Sequence, residues 1–206
     1  MKKLLCVFLC LAMFTLAACT PTPDDVSSEP AALSKMEVSA SKGEIEGLKF
    51  SLGADVKEVK DYFKKLAEAY EDEHGDDKHD HTNLMGNEEY AYYELVDMPD
   101  YMLIETAEAR YYYDGMNSSK GILAIATDNE AFGFTPGLTS KYEVESEFSS
   151  ACETVTADED DFELLSMPQD GTLVLRYTAE QYQLDFYFLD NMLLSIAIVD
   201  TENWVY

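Results

Sequence analysis

Basic side chains are scarce in this sequence. It has 14 Lys and Arg residues against 41 Asp and Glu residues, which gives a formal net charge of −27 at pH 7. Nucleic-acid binding depends on Lys and Arg that neutralise phosphates, so the composition argues against it. Anionic headgroups and polymers are repelled as well, which leaves cations, basic proteins or neutral ligands as favoured partners. The same charge also keeps a protein dispersed without selecting any partner.

Long apolar runs are missing except at the N-terminus. Residues 4–18 are almost entirely apolar, follow two lysines, and end in Leu16-Ala17-Ala18-Cys19. This run is shorter than the about 20 residues that a membrane-spanning helix needs. It resembles the lipobox of a bacterial lipoprotein signal. The resemblance implies that residues 1–18 are removed, that Cys19 carries the lipid (palmitate), and that the protein is anchored to the extracytoplasmic side of the cell membrane.

Cysteine is equally rare. Cys6 and Cys10 would leave with the signal and Cys19 would be acylated, so Cys152 is the one thiol left and no internal disulfide can form. Cys152 follows Val144 at helical spacing. This position predicts a small buried side chain rather than a reactive nucleophile.

The remaining chain divides into a tether and two similar regions. Residues 19–42 are rich in Pro, Ser and Asp, which predicts a flexible tether. Four short motifs then recur in the same order in residues 43–130 and 131–206, which predicts an internal duplication. The pairs are 50–53 with 134–137, 94–99 with 163–168, 106–108 with 178–180, and 123–128 with 195–200. Their spacing gives the first copy an insertion, residues 71–84.

Each copy is predicted to contain one helix followed by four strands. Asp55 with Glu58, and Ser140 with Glu143, have capping-box spacing, and an apolar stripe from Val56 to Tyr70 follows the first pair. Runs rich in β-branched and aromatic residues follow, separated by turn residues such as Asp114-Gly115 and Asp190-Asn191. The predicted strands are 90–96, 101–106, 110–114 and 121–127, then 162–167, 172–177, 182–189 and 192–199. We therefore expect an α+β fold made by tandem duplication of a helix plus four-stranded antiparallel sheet.

This plan resembles a known group of proteins. A glycine shortly before a helix that bears Glu-Val occurs in both copies, as Gly53 with Glu58-Val59 and Gly137 with Glu143-Val144. Together with the topology, it resembles the β-lactamase inhibitory protein fold and the small lipoproteins of outer-membrane assembly. The resemblance implies a binding or scaffolding module whose open sheet face contacts a protein. The inhibitor's paired cysteines are missing here, and no inhibitory residue is carried over.

All three histidines lie in the insertion, at His74, His79 and His81, among many carboxylates. Imidazole and carboxylate are the ligands that a divalent metal such as zinc takes, so a weak zinc site is one interpretation. The alternative is a solvated acidic insertion that binds nothing.

Aromatic residues mark a second candidate site. Tyr111-Tyr112-Tyr113 follow Arg110 in one predicted strand, and Tyr187 lies in the corresponding strand of the second copy. Alternation turns Tyr112 away from its neighbours, so at least one of the three should lie on the less buried face. Arg110, Tyr111, Tyr113 and Tyr187 are therefore candidates for binding a partner. Ordinary packing of tyrosines in a sheet is the alternative.

Signals for catalysis are weak. The histidines crowd one segment, away from any nucleophile they could activate, and no phosphate-binding Gly-rich loop is present. We therefore expect a binding or scaffolding lipoprotein of the cell envelope rather than an enzyme, with zinc binding as the alternative function.

Overall fold

A computed structural model describes residues 31–74, 93–98, 101–148, 151–158, 161–165 and 170–204. The helices are α1 (Ala31–Ser41), α2 (Val56–His74) and α3 (Lys141–Phe148). The strands are β1 (Tyr93–Asp97), β2 (Met102–Thr106), β3 (Arg110–Tyr113), β4 (Ile122–Thr127), β5 (Glu153–Thr156), β6 (Leu173–Ala179), β7 (Tyr182–Leu189) and β8 (Met192–Asp200). We call α2 with β1–β4 the first half and α3 with β5–β8 the second half.

All eight strands form one antiparallel sheet, in the order β1-β2-β3-β4-β8-β7-β6-β5. The expected α+β class is therefore confirmed. The last strands of the two halves pair at the centre of the sheet, where Ala126 lies opposite Ala197. Strands β1 and β5, the first of each half, form the two edges.

The helices cover one face of the sheet, where their apolar side chains share a core with those of the strands. In each half, three aromatic rings come from the turn before the helix, from the helix and from the third strand. They are Phe50, Phe63 and Tyr111 in the first half and Phe134, Phe148 and Phe186 in the second. The helix ring lies 5.4 Å from the strand ring in both halves, with interplanar angles of 35° and 37°.

A pair of backbone hydrogen bonds joins the turn before each helix to the last strand of the same half. In the first half, the amide of Gly53 donates to the carbonyl of Ile122 at 2.8 Å. In the second half, the amide of Gly137 donates to the carbonyl of Leu193 at 2.8 Å. Reciprocal bonds run from Ile122 N to Ala54 O and from Leu193 N to Thr139 O. The two helices thus start from equivalent anchors on the sheet.

The predicted helix caps are confirmed. The amide of Glu58 donates to Asp55 Oδ1 at 2.9 Å, and the amide of Ser140 donates to Glu143 Oε2 at 2.8 Å. The predicted apolar stripe is buried only at the start of α2. Leu66 is 41% exposed, because the helix runs past the edge of the core at this point.

The predicted tether is too long at its C-terminal end. Residues 31–41 form α1, and Met36 and Ala40 on it are fully buried. These residues are four apart, so they lie on the same side of the helix. That side packs on β6, β7 and α3, which makes α1 part of the folded unit.

One predicted strand is wrong. Residues 162–165 of the predicted strand 162–167 are not in the sheet, because β5 occupies the edge beside β6 and residues 161–164 form a single 3-10 turn. Residues 166 and 167 lie outside the described residues. The predicted hairpin connection at Asp114-Gly115 joins the antiparallel strands β3 and β4, and it is longer than two residues because it includes a 3-10 turn at Ser118–Lys120. The hairpin at Asp190-Asn191 is confirmed, with φ values of 49° and 66° that suit a two-residue turn.

Candidate functional site

The face of the sheet that the helices leave free, here called the second face, carries a row of charged side chains. Directly paired residues of antiparallel strands point to the same face, so one row can be followed through the register of all eight strands. From β1 to β5 the row is Glu94, Glu105, Arg110, Ala126, Ala197, Asp185, Arg176 and Glu153. Six of the eight positions are therefore charged, with two alanines at the centre.

Residues 161–165, here called the strap, lie over the middle of this row. Leu164 and Leu165 are buried in a cluster with apolar residues of both halves. The carbonyl oxygen of Leu164 accepts a hydrogen bond from Nη2 of Arg110 at 3.1 Å. Oδ1 of Asp161 accepts one from Nη2 of Arg176 at 2.8 Å. Arg110 and Arg176 are the two arginines of the sequence, and each half supplies one of them.

Arg110 joins the two halves. Its guanidinium group binds both oxygens of Asp128, at 2.7 and 3.0 Å, in a bidentate pair. It also contacts Oγ of Ser195 on β8 at 3.3 Å. The hydroxyl of Ser195 in turn donates to the carbonyl of Thr127 on β4 at 3.1 Å. This network fixes the central strands beneath the strap.

Arg176 lies between two buried carboxylates. Its Nη2 atom donates to Asp161 Oδ1 and to Asp185 Oδ2, and its Nε atom donates to Asp185 Oδ1 at 3.0 Å. The side chains of Asp161 and Asp185 are 4% and 0% exposed. Burial raises the pKa of Asp185 to about 6; the charge of Asp161 adds to this, and hydrogen bonds from Arg176 and Gln183 oppose it. Burial thus disfavours the charged form of Asp185.

The residues predicted to bind a partner are buried. Arg110 is 8% exposed, Tyr113 is 3% exposed, and Tyr111 and Tyr187 are fully buried. The expected alternation is confirmed, since Tyr111 and Tyr113 face the helices while Tyr112 faces the other way. The expectation that one of the three lies on a less buried face is wrong. Both faces are covered here, and these four residues do not form an exposed surface in the part of the chain that the structure describes.

Other predicted site residues lie largely outside that part. Cys19, His79 and His81 are not among the described residues, and of His74 only the backbone, at the end of α2, is described. Within the described ranges, no cluster of His, Cys, Asp and Glu has the arrangement of a metal site. Cys152 is half-buried, and burial raises the pKa of its thiol to about 12, with the charge of Asp185 adding, so the thiolate is disfavoured. None of the described helices has the length and apolar character that a membrane crossing needs.

Sequence reasoning missed Asp161, Arg176 and Asp185. A signal was present, because the hairpin from β6 to β7 has the two-residue loop Glu180-Gln181. Counting back from that loop pairs Arg176 with Asp185. An acidic residue inside an otherwise apolar strand, with an arginine opposite, is the pattern of a buried ion pair.

A shallow groove of about 460 Å³ lies beside α2. It is lined by Lys49, Phe50, Asp55, Lys57, Glu58, Asp61, Tyr62 and Lys65. Its three lysines face three acids, and Lys57 pairs with Asp61. Lys49 lies over the ring of Tyr62, 4.2 Å from its centroid. The groove therefore favours neither sign of charge.

No protein-family model matches the chain, and no characterised protein or solved structure is significantly similar to it. The resemblance to β-lactamase inhibitory proteins and outer-membrane assembly lipoproteins therefore stays a prediction. The function has to be inferred from the side chains of this chain itself.

Proposed function

We propose that the chain is a lipid-anchored protein on the extracytoplasmic side of the cell membrane, and that its folded part binds another envelope protein. The observation that supports binding is an exposed apolar surface formed by Leu138, Tyr142 and Met192, here called the α3 patch. Leu138 and Tyr142 are each 78% exposed and Met192 is 38% exposed. Tyrosine and methionine are enriched where proteins contact one another.

The backbone brings the three residues of the α3 patch together. Ser140 forms a β-bridge with Met192, and the amide of Lys141 donates to the carbonyl of Asn191 at 2.8 Å. Leu138 and Tyr142 lie two residues before and after Ser140. The patch therefore sits where the start of α3 meets the start of β8.

We further propose that the two halves are copies of one helix-plus-four-strand unit. The matching aromatic rings, the matching glycine anchors and the mirrored strand order support this. The register aligns residues 122–126 with 193–197, an offset of 71 residues, because β4 and β8 each carry a register shift at the same place, opposite Tyr112 and Tyr187. It also aligns β5 with β1. On this alignment the strap belongs to an extra stretch of the second copy.

The comparison of the copies supports a special role for the α3 patch. When the backbone anchors, the helix caps and the strand register are matched, Tyr142 and Met192 correspond to Lys57 and Gly121 in the first half. Thr139 corresponds to Ala54, so Leu138 is an additional residue of the second half. The fold thus forms without large apolar side chains at these positions. Their presence in the second half alone favours a contact that the first half does not make.

Site-specific photocrosslinking tests the partner contact. A photoreactive phenylalanine analogue replaces Tyr142 in the full chain, expressed in its own envelope. We expect one discrete crosslinked protein, and we expect Leu138→Ser to remove it. Met116, which is fully exposed on the connection between β3 and β4, gives the matched control position. The same crosslinks from position 116, or none from position 142, would contradict the α3 patch.

Labelling with radioactive palmitate tests the anchor separately. We expect label in the wild-type chain and none in Cys19→Ala, which should also lose its membrane association. Labelling that survives Cys19→Ala would reject lipidation at this residue. The result does not depend on the α3 patch. The lipid anchor and the partner contact are therefore tested by different measurements.

A further inference from the structure

Two buried carboxyl groups attach the strap to the sheet, and they share the same donors. Oδ1 of Asp161 and Oδ2 of Asp185 both accept a hydrogen bond from Nη2 of Arg176, at 2.8 and 2.9 Å. The same two oxygens lie 3.2 and 3.3 Å from the hydroxyl oxygen of Tyr187. Two potential negative charges therefore lie beside one positive charge, in a site that water hardly reaches.

The number of protons on these groups decides how many of their close oxygen–oxygen contacts are hydrogen bonds. The hydroxyl of Tyr187 has one proton and donates to one of the two carboxylates at a time. The contact with the other oxygen becomes a hydrogen bond when that carboxyl group carries a proton and donates it to the hydroxyl. Two neighbouring carboxyl groups in a low dielectric favour such sharing, because losing the last proton leaves like charges together.

Every element packed around Asp185 adds to its environment. The groups are Arg176 from β6, Glu153 from β5, the thiol of Cys152 just before β5, the uncharged Ala197 from β8, Gln183 and Tyr187 from β7 itself, and Asp158 and Asp161 from the strap and the residues before it. Arg176 is the cation in contact with both buried aspartates. Glu153 and Asp158 are exposed, so solvent screens their charges.

The two aspartates differ in how firmly the backbone holds them. Asp185 lies in the middle of β7 and is paired on both sides, with β6 and β8. Asp161 lies in a single 3-10 turn. Repulsion between the two carboxylates is therefore relieved by movement of the strap rather than of the sheet.

We propose that the strap is a pH-sensitive latch, closed over the second face while the carboxyl group of Asp185 carries a proton and opened when Asp185 is ionised beside Asp161. Since burial raises the pKa of Asp185 to about 6, the latch would change state between mildly acidic and neutral pH. Opening lifts Leu164 and Leu165 from the sheet. It uncovers apolar side chains of both halves, including Tyr112 and Val174.

Hydrogen exchange of the full chain, followed by mass spectrometry at pH 5 and pH 8, tests the latch. Rates are corrected for the intrinsic effect of pH on exchange. We expect the protection of a peptide covering residues 161–165 to fall at least about tenfold between pH 5 and pH 8 in the wild type. We expect Asp185→Asn, and separately Asp161→Asn, to remove this dependence. Asp190→Asn, in the exposed hairpin after β7, is the matched control and should behave like the wild type.

The exchange of β7 separates opening of the strap from general unfolding. A latch leaves the protection of residues 184–188 unchanged while that of the strap falls. Equal strap protection at both pH values in the wild type would overturn the proposal. So would a pH dependence that persists in Asp185→Asn, or a parallel loss of protection in β7.

Discussion

Ala126 of β4 lies directly opposite Ala197 of β8, at the centre of the charged row. Both are fully buried, and their methyl groups are the smallest side chains in the row. The strap contacts β4, and Leu164 belongs to the same buried apolar cluster as the two alanines. The two residues are 71 positions apart, so they correspond to each other on the alignment of the two proposed copies.

The aromatic rings that face the helices give the first prediction. Tyr111 is fully buried, and its hydroxyl has no hydrogen-bond partner within the described residues, whereas its counterpart in the second half is Phe186. An unpartnered buried hydroxyl destabilises the folded state. We expect Tyr111→Phe to raise the free energy of unfolding by about 1 kcal/mol, measured by urea denaturation.

Tyr187→Phe is the matched control, because this hydroxyl contacts both Asp161 and Asp185. It should lower the free energy of unfolding by about 1 kcal/mol. Two substitutions of the same chemistry should thus act in opposite directions. A loss of stability in Tyr111→Phe would mean that its hydroxyl has a partner after all.

The second prediction concerns α1. Met36 is fully buried against the second half, while Val38 on the same helix is 50% exposed. Removing a buried methionine side chain leaves a cavity, so Met36→Ala should lower the free energy of unfolding by about 2–4 kcal/mol. Val38→Ala should change it by less than about 0.5 kcal/mol. If Met36→Ala and Val38→Ala have equally small effects on thermal or urea unfolding, residues 31–41 belong to the tether and not to the folded unit.

Sequence patterns were sufficient where a segment is both regular and bounded by a turn. The strand Tyr182–Leu189 was predicted with its observed bounds, because its dense aromatic and aliphatic residues end at Asp190-Asn191. Helix α1 was missed because Pro, Ser and Asp before it suggested a tether. Its few apolar residues acquire their partners from β6, β7 and α3, which are distant in the sequence.

The site was harder to predict for a related reason. The motif at 163–168 resembles the edge strand of the first half, but Glu153–Thr156 occupies the matching edge. Local similarity cannot decide between two segments that compete for one edge. Likewise, Tyr111 and Tyr113 have the composition of a binding surface, yet whether the α2 core covers them depends on the tertiary fold. The charged row depends on the register of the strands. Predicting it therefore requires the strand pairing within each half and also the pairing of β4 with β8 at the centre of the sheet.

The third prediction concerns the close approach between Gly121 and the turn before α2. Gly121 has φ of +79°, and a Cβ atom there would lie 2.6 Å from the carbonyl oxygen of Gly53. Gly137 has the same φ but nothing within 4 Å of a Cβ atom. We expect Gly137→Ala to cost about 1–2 kcal/mol from its backbone conformation alone. Gly121→Ala should cost at least about 3 kcal/mol, because backbone must also move. If urea denaturation shows that Gly121→Ala and Gly137→Ala lower the free energy of unfolding by similar amounts, the extra cost expected at Gly121 is wrong.

The last prediction concerns the stability of the whole fold as a function of pH. Burial raises the pKa of Asp185 to about 6 in the folded chain, whereas an unfolded aspartate has a pKa of about 3.9. The folded state therefore holds this proton more tightly. The stabilisation that this gives is fully present below about pH 3.9 and is lost as the pH rises through about 6.

Asp185→Asn lacks this titration but keeps the shape of the side chain. Its free energy of unfolding, relative to the wild type, should therefore rise by about 2–3 kcal/mol between pH 4 and pH 8. The many surface carboxylates affect both proteins alike and cancel in the difference. A flat difference for Asp185→Asn would mean that Arg176 fully compensates the buried charge.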